Sequence, residues 1–293
     1  MSDAESALLV PPGSCDCHMH VFGPPERYKG APDRSYDPRE RRLSDYEDLA
    51  GTLGFERVVF VQPSAYGTDN ACLLDALRVR PETARAVVVI GEEHDASALR
   101  ALHEAGARGA RLNLMTPRVT DGHAAKARLE ETARRIAPLG WHLQIYADLE
   151  VVGMVAPALR TISVPIVFDH MGGAMKAVGP QAPGFQTLLS ELADGRCWVK
   201  LSGADIVTWE SADFSAATPF ATALISANER QLVWGSDWPH LVHQSAGTGD
   251  NAPPAAFRPV DERSLLRFLR QWAGSEETWR RILVENPQRL YQF

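Results

Sequence analysis

Asp16-Cys17-His18-Met19-His20 places three ionisable side chains at alternate positions of a short apolar stretch. In a β-strand, residues two apart share a face, so Asp16, His18 and His20 are expected to point the same way. Such groups are costly on a covered strand unless they have partners. Two imidazoles at this spacing either bind one metal ion or hold one substrate oxygen; the plainer alternative is a pair of hydrogen-bonded core histidines. His170, in Phe168-Asp169-His170-Met171-Gly172-Gly173, ends another apolar run. Its reading is open between a functional group and a structural hydrogen bond. Asp237, in Val233-Trp234-Gly235-Ser236-Asp237-Trp238-Pro239-His240, ends a third. A carboxylate there takes a proton from water or ligates the metal that carries it. The alternative is a turn-capping Asp. His240 is expected to brace the loop.

Substrate handles are sought next. Arg111 is flanked by Gly109-Ala110 and Leu112, so it is expected to be buried. A buried Arg needs an anionic partner, either a protein carboxylate or a ligand, and ligand binding is favoured here. Arg118 follows on the next loop, Tyr146 ends a fifth run, and Ser64 and Tyr66 follow the second. Lys200 lies within a seventh run with its role open. No Gly-x-Ser-x-Gly is present, which argues against a serine nucleophile elbow, and Ser202 and Ser236 have no sequence-readable partner.

The elements that must position these groups are legible from periodicity. Eight short β-branched runs are expected as strands: Ser14–His20, Arg57–Gln62, Arg85–Ile90, Gly109–Leu114, His142–Ala147, Pro165–His170, Cys197–Ser202 and Leu232–Asp237. Runs such as Val58-Val59-Phe60-Val61 are apolar throughout, as strands covered on both faces are. Helical patterns fill the gaps at Asp69–Arg80, Ala96–Ala105, Ala125–Ala137, Leu149–Thr161, Phe185–Ala193, Asp261–Trp272 and Ser275–Leu283, the last expected to give way to a short turn at Asn286-Pro287. The alternation predicts parallel βαβ units closing into an α/β fold, a distorted (β/α)8 TIM barrel in a single domain. An open doubly wound sheet is the alternative, but no GxGxxG or GxxxxGK(S/T) follows the first strand. Residues 1–12 are expected as a flexible N-terminal segment and 13–293 as the barrel. Two Pro/Gly-rich stretches, Phe22–Leu43 and Leu241–Pro259, follow strands and are expected on the active face, as lids or as disordered insertions.

Composition bounds the function. A chain of 293 residues suits such a barrel, and 45% hydrophobic with 23% charged residues suits a globular protein. The net charge of −7 argues against nucleic acid as a partner. No apolar run approaches the ~20 residues of a membrane span, and the acidic start lacks a basic leader, so a cytoplasmic location is expected. Cys15, Cys17, Cys72 and Cys197 contain no CxxC pair and read as reduced core thiols, with Cys15 and Cys17 sharing one strand face.

The Asp-x-His-x-His strand, the Asp169-His170-Met171-Gly172 turn and the Trp234–His240 motif together resemble the amidohydrolase superfamily. More narrowly, the chain is similar to the branch that includes 2-pyrone-4,6-dicarboxylate lactonase, sugar lactonases, 4-sulfomuconolactone hydrolase and D-galactarolactone isomerase. The likeness runs from about Gly13 to Phe293. It includes Val61–Asn70 and the closing Val284–Tyr291. The resemblance implies lactone hydrolysis in aromatic or sugar-acid catabolism, with Asp237 activating water and His18, His20 and His170 polarising the carbonyl. A lactone isomerase or a metal-dependent decarboxylase on the same site is the alternative. It further implies substrate contacts from Tyr36, Ser64, Arg111 and Tyr146, with Arg118 as a second carboxylate-binding arginine. Relatives divide between metal-free catalysis and one zinc or manganese ion, which here would be held by His18, His20, His170 and Asp237. Tyr146 stands where many relatives carry a fifth-strand histidine ligand. The partner implied is a small molecule, and an oligomer is compatible with the reading. Gly173, Ala204–Val207 and Leu241 or Val242 replace two arginines and an asparagine of the pyrone dicarboxylate enzymes, so a monoanionic or less polar lactone fits better.

Overall fold

The computed structural model describes residues 10–115, 121–175, 178–242 and 247–293. Eight parallel strands follow one another in sequence order: β1 (Cys15–Met19), β2 (Arg57–Val61), β3 (Ala84–Val88), β4 (Ala107–Asn113), β5 (His142–Tyr146), β6 (Ile166–Phe168), β7 (Trp198–Leu201) and β8 (Leu232–Trp234). A helix follows each strand, as the single-domain (β/α)8 expectation requires. The alternation along each strand sorts the apolar residues into two populations. Val58, Phe60, Leu143, Ile145, Ile166, Phe168, Val199 and Leu201 face outward to the helices. Cys15, Cys17, Val59, Val61, Val87, Val167, Trp198 and Val233 fill the barrel, and Leu290 and Tyr291 close it from below. All four cysteines are buried and free of disulfides.

The barrel is distorted at its seam. β8 meets β1 only near the top, where the Asp237 amide donates to the His18 carbonyl (2.8 Å) and the His20 amide to the Trp238 carbonyl (2.8 Å). A register shift against β2 falls between Asp16 and Met19 and inserts one extra residue into β1. This bulge overturns the expectation that Asp16 shares a face with His18 and His20, because one added residue reverses the side-chain alternation. Asp16 instead points outward and staples the seam. Its Oδ1 accepts the backbone amides of His18 (3.1 Å) and Ser236 (2.9 Å), and its Oδ2 accepts the Tyr46 hydroxyl (3.1 Å). Gly235 completes the seam, since a Cβ there would stand 2.4 Å from that of His18.

Two helices escape the periodic reading. Leu43–Leu53 begins where a loop is expected to end, and Asp45 closes its first turn by accepting the Arg42 amide. Thr218–Asn228 carries no charged residue, so it shows no polar stripe to read. The expected turn at Asn286-Pro287 is instead a continuation. The last helix, Glu276–Arg280, passes through a π-helical turn (Arg281–Glu285) into a helix over Asn286–Tyr291. Pro287 is tolerated there because the first helical turn leaves amides unpaired anyway. Of the segment 1–12, residues 1–9 lie outside the described residues, while Val10 is buried and its amide reaches the Leu53 carbonyl. No helix among the described residues is long and apolar enough to cross a membrane.

The two long loops join each other over the barrel mouth. The Asp37 amide donates to the Pro253 carbonyl, the Ala255 amide returns to the Asp37 carbonyl, and the Gly249 amide meets the Arg34 carbonyl, each at 2.8 Å. Phe257 packs against Phe22 and carries the Arg41 guanidinium on its face. The described parts of both loops are therefore ordered, not disordered insertions.

Candidate active site

At the C-terminal end of the barrel lies a cavity of about 440 Å³ including its mouth, lined by His20, Tyr36, Ser64, Arg111, Asn113, Tyr146, His170, Asp237, Leu241 and Val242 among others. β1, the turn after β6 and the turn after β8 bring four of the expected residues together, His20, His170 and Asp237 on the lining and His18 fully buried behind them. Asp237 Oδ1 lies 3.6 Å from Nε2 of His18, 3.6 Å from Nε2 of His20 and 3.8 Å from Nε2 of His170. Asp237 and His170 both hold left-handed backbone (φ 66° and 50°), a conformation a non-glycine residue keeps only when its surroundings impose it. Gly203 makes room for His170, since a Cβ there would stand 2.9 Å from its ring.

The other face of each imidazole is engaged. His20 Nδ1 donates to the Val61 carbonyl at 2.7 Å and its Nε2 faces Asp237. His170 Nδ1 meets the Ser202 hydroxyl at 3.0 Å. His18 Nδ1 lies 3.4 Å from both Asp169 Oδ1 and Lys200 Nζ, while its buried Nε2 has no hydrogen-bond partner among the described residues. Burial and then the Lys200 ammonium push the His18 imidazole well below its ordinary pKa, and burial pushes His170 down too, so both are neutral at pH 7. Burial alone would raise the Asp237 carboxyl, but the surrounding His170, His20 and His18 outweigh it and hold it well below the carboxylate range.

A carboxylate oxygen facing several imidazole nitrogens is stabilised by a ring proton or by a cation between them. Zinc takes imidazole and carboxylate donors of this kind, and its bonds of ~2.0–2.1 Å put tetrahedral donors roughly 3.4 Å apart. The observed 3.6–3.8 Å is close to that spacing. Two three-residue groups could hold an ion, His18-His20-Asp237 and His18-Asp169-His170. Tyr146, at the end of β5, packs beside the donors. Its ring meets His170 edge-on and Arg111 across its face, and burial raises its hydroxyl pKa.

The substrate handles divide. Tyr36, delivered by the first loop, and Ser64, in a 3-10 turn after β2, line the cavity, with burial raising the Tyr36 hydroxyl against its bond to Ser64. Arg111 also lines it, yet its first partner is a protein carboxylate: Nε donates to Asp169 Oδ2 at 3.2 Å. Of the two partners expected for Arg111, a protein carboxylate is thus present, while its place on the cavity lining is compatible with a ligand as well. Arg118 lies outside the described residues. Tyr66 turns away from the cavity lining. Gly173 has φ 79°, and a Cβ there would stand 2.2 Å from the Ala147 carbonyl oxygen, so no side chain fits on this backbone.

Sequence reasoning assigned no role to Asp169, although it sits beside His170. Asp169 lies under the site and gathers Arg111, Gln144, His18 and Lys200, and the last is fully buried at the centre of this group. Burial would raise the Asp169 carboxyl, but Lys200, His18 and Arg111 hold it well below the usual range. His240 braces the loop as expected. Its Nε2 is 3.2 Å from Glu262 and its Nδ1 3.6 Å from Asp205, which Arg258 also pairs. These carboxylates outweigh burial and raise the imidazole to about 9.

A (β/α)8 barrel thus brings three histidines and an aspartate together at the C-terminal ends of its strands. The chain belongs to the amidohydrolase family, whose model matches residues 15–293. It is 31% identical to the 4-sulfomuconolactone hydrolase of Hydrogenophaga intermedia, covering 97% of this chain and 90% of that one. It is also 31% identical to the 2-pyrone-4,6-dicarboxylate hydrolase of Comamonas testosteroni, covering 96% and 91%. Among solved structures it resembles a Pseudomonas putida protein described as a 2-pyrone-4,6-dicarboxylic acid hydrolase, with a TM-score of 0.78, 29% identity and 97% and 98% coverage.

Proposed function

We propose that this protein hydrolyses a lactone carrying a single carboxylate and an apolar ring substituent. The observation that carries this reading is the convergence of three imidazole Nε2 atoms on Asp237 Oδ1 at the floor of a cavity with Arg111 on its wall. Arg111, with Ser64 and Tyr36 alongside, receives the carboxylate. Leu241 and Val242 face the apolar part. Asp237, ionised at neutral pH, accepts a proton from water as the water oxygen bonds to the carbonyl carbon. The depressed pKa keeps the base available but lowers its driving force, so the histidines must share the work by polarising the carbonyl oxygen. On collapse the ring C–O bond breaks and Asp237 returns its proton to the leaving oxygen. A divalent ion, when held by His18, His20, His170 and Asp237, supplies Lewis acidity to the carbonyl and lowers the pKa of the attacking water.

The test is turnover of a panel of mono- and dicarboxylated lactones followed by product mass. A gain of one water is expected, fastest for monoanionic substrates, and Asp237→Asn is expected to lose about 10²–10⁴-fold in rate. Unchanged mass would assign an isomerase instead. Near wild-type turnover by Asp237→Asn would remove Asp237 from the base role.

A further inference from the structure

Beneath the cavity floor, outside its lining, Lys200 is fully buried among residues from β1, β5 and β6. Its ammonium donates to the Cys17 carbonyl (2.9 Å) and to Gln144 Oε1 (2.7 Å). Two atoms compete for its third donor, Asp169 Oδ1 at 3.5 Å and His18 Nδ1 at 3.4 Å. These two atoms are themselves 3.4 Å apart. An ammonium only donates and a carboxylate only accepts. Lys200 therefore favours the His18 tautomer with its proton on Nε2, and Asp169 favours the one with its proton on Nδ1.

The surroundings decide between them. Asp169 Oδ2 is already taken by Arg111 Nε (3.2 Å) and Gln144 Nε2 (2.9 Å), and this fixes the carboxylate so that Oδ1 faces His18. A charged oxygen is a better acceptor for the third ammonium proton than a neutral ring nitrogen. His20 Nε2 faces Asp237 Oδ1, and His18 Nε2 points at the same oxygen without a hydrogen-bond partner among the described residues. We propose that Asp169 is the positioning residue of His18, accepting its Nδ1 proton so that Nε2 is a lone pair for a divalent cation, and that Lys200 opposes this, limiting how tightly the cation is held. Asp169 orients one ligand and adds negative charge; Lys200 anchors Asp169 and repels a dication from below. The inference rests on the group His18-His20-Asp237 holding metal, not on the identity of the lactone.

The experiment is zinc affinity by competition with a chromophoric chelator at fixed pH, on the purified full chain, with no turnover involved. Asp169→Asn is expected to bind zinc about 10–100-fold more weakly. Lys200→Met, close in volume and without charge, is expected to bind it about tenfold more tightly. The opposite signs are the discriminating result, because a merely structural role for the two residues would weaken both. Should either single variant fail to fold, the paired Asp169→Asn/Lys200→Met change removes one charge of each sign and is expected to bind zinc within about tenfold of wild type, whereas loss of zinc binding in it overturns the proposal. Weaker zinc binding in Lys200→Met, or an unchanged affinity in Asp169→Asn, overturns the proposal. Wild-type protein that turns over lactone without taking up zinc overturns it too, and leaves the proposed hydrolysis standing. Zinc affinities in the expected order without lactone turnover would do the reverse.

Discussion

Two histidine–carboxylate clusters lie three residues apart along the chain, at Asp237 and at His240, and they behave in opposite ways. Around Asp237, three imidazoles share one carboxylate oxygen at 3.6–3.8 Å. Around His240, one imidazole meets two carboxylates, and Arg258 balances the surplus negative charge. Both clusters are buried, so desolvation is common to them. The neighbouring charges make the difference: burial, reinforced by the Lys200 ammonium at His18, pushes His18 and His170 down and keeps them neutral, while Asp205 and Glu262 outweigh burial at His240 and raise it to about 9. The first cluster has donors left over for a ligand. The second is closed, and works as part of the scaffold.

The sharpest way to break this comparison is Asp237→Asn. Beyond the rate loss of about 10²–10⁴-fold, its melting temperature is expected not to fall, since Asn accepts a left-handed backbone readily and the change relieves crowded lone pairs. A marked loss of stability would show that Asp237, like His240, is scaffold. His240→Gln should do the opposite, with stability as the casualty. The folded pKa of His240 lies above the unfolded value of 6.5, so its contribution is full below about pH 6.5 and disappears as pH rises through about 9. It amounts to about 3 kcal/mol at the acid end. Denaturation of wild type and variant between pH 6 and pH 9.5 checks this; a gap that stays constant across the range refutes it. The smallest effect is expected for Ser202→Ala, which removes the hydroxyl at His170 Nδ1 and should cost about 1 kcal/mol, seen as a several-fold fall in kcat with KM little changed.

The strands and the ends of strands were readable because their signal is local. Val58-Val59-Phe60-Val61 announces a covered strand, and His170 and Asp237 are marked by the turns that follow them. What escaped was set by partners far along the chain. The bulge that turns Asp16 outward is a matter of register against β2, and nothing within Asp16–His20 shows it. Lys200 stayed open because its acceptors, Cys17, Gln144 and Asp169, come from three other strands. Arg111 was expected to need an anionic partner, but that Asp169, 58 residues away, supplies one was not legible for the same reason. The helix at Thr218–Asn228 escaped for lack of polar residues to give it a face.

The ladder between Asp37 and Pro253–Ala255 has a consequence for how this scaffold can change its substrate. Tyr36 sits one residue before one rail of that ladder, and Leu241 and Val242 lie on the loop that forms the other. Replacing either loop alone with one of different length would strand the backbone groups of its mate and displace cavity residues that were not altered. Exchange of specificity is therefore expected to succeed when both segments, separated by some two hundred positions, are swapped as one cassette.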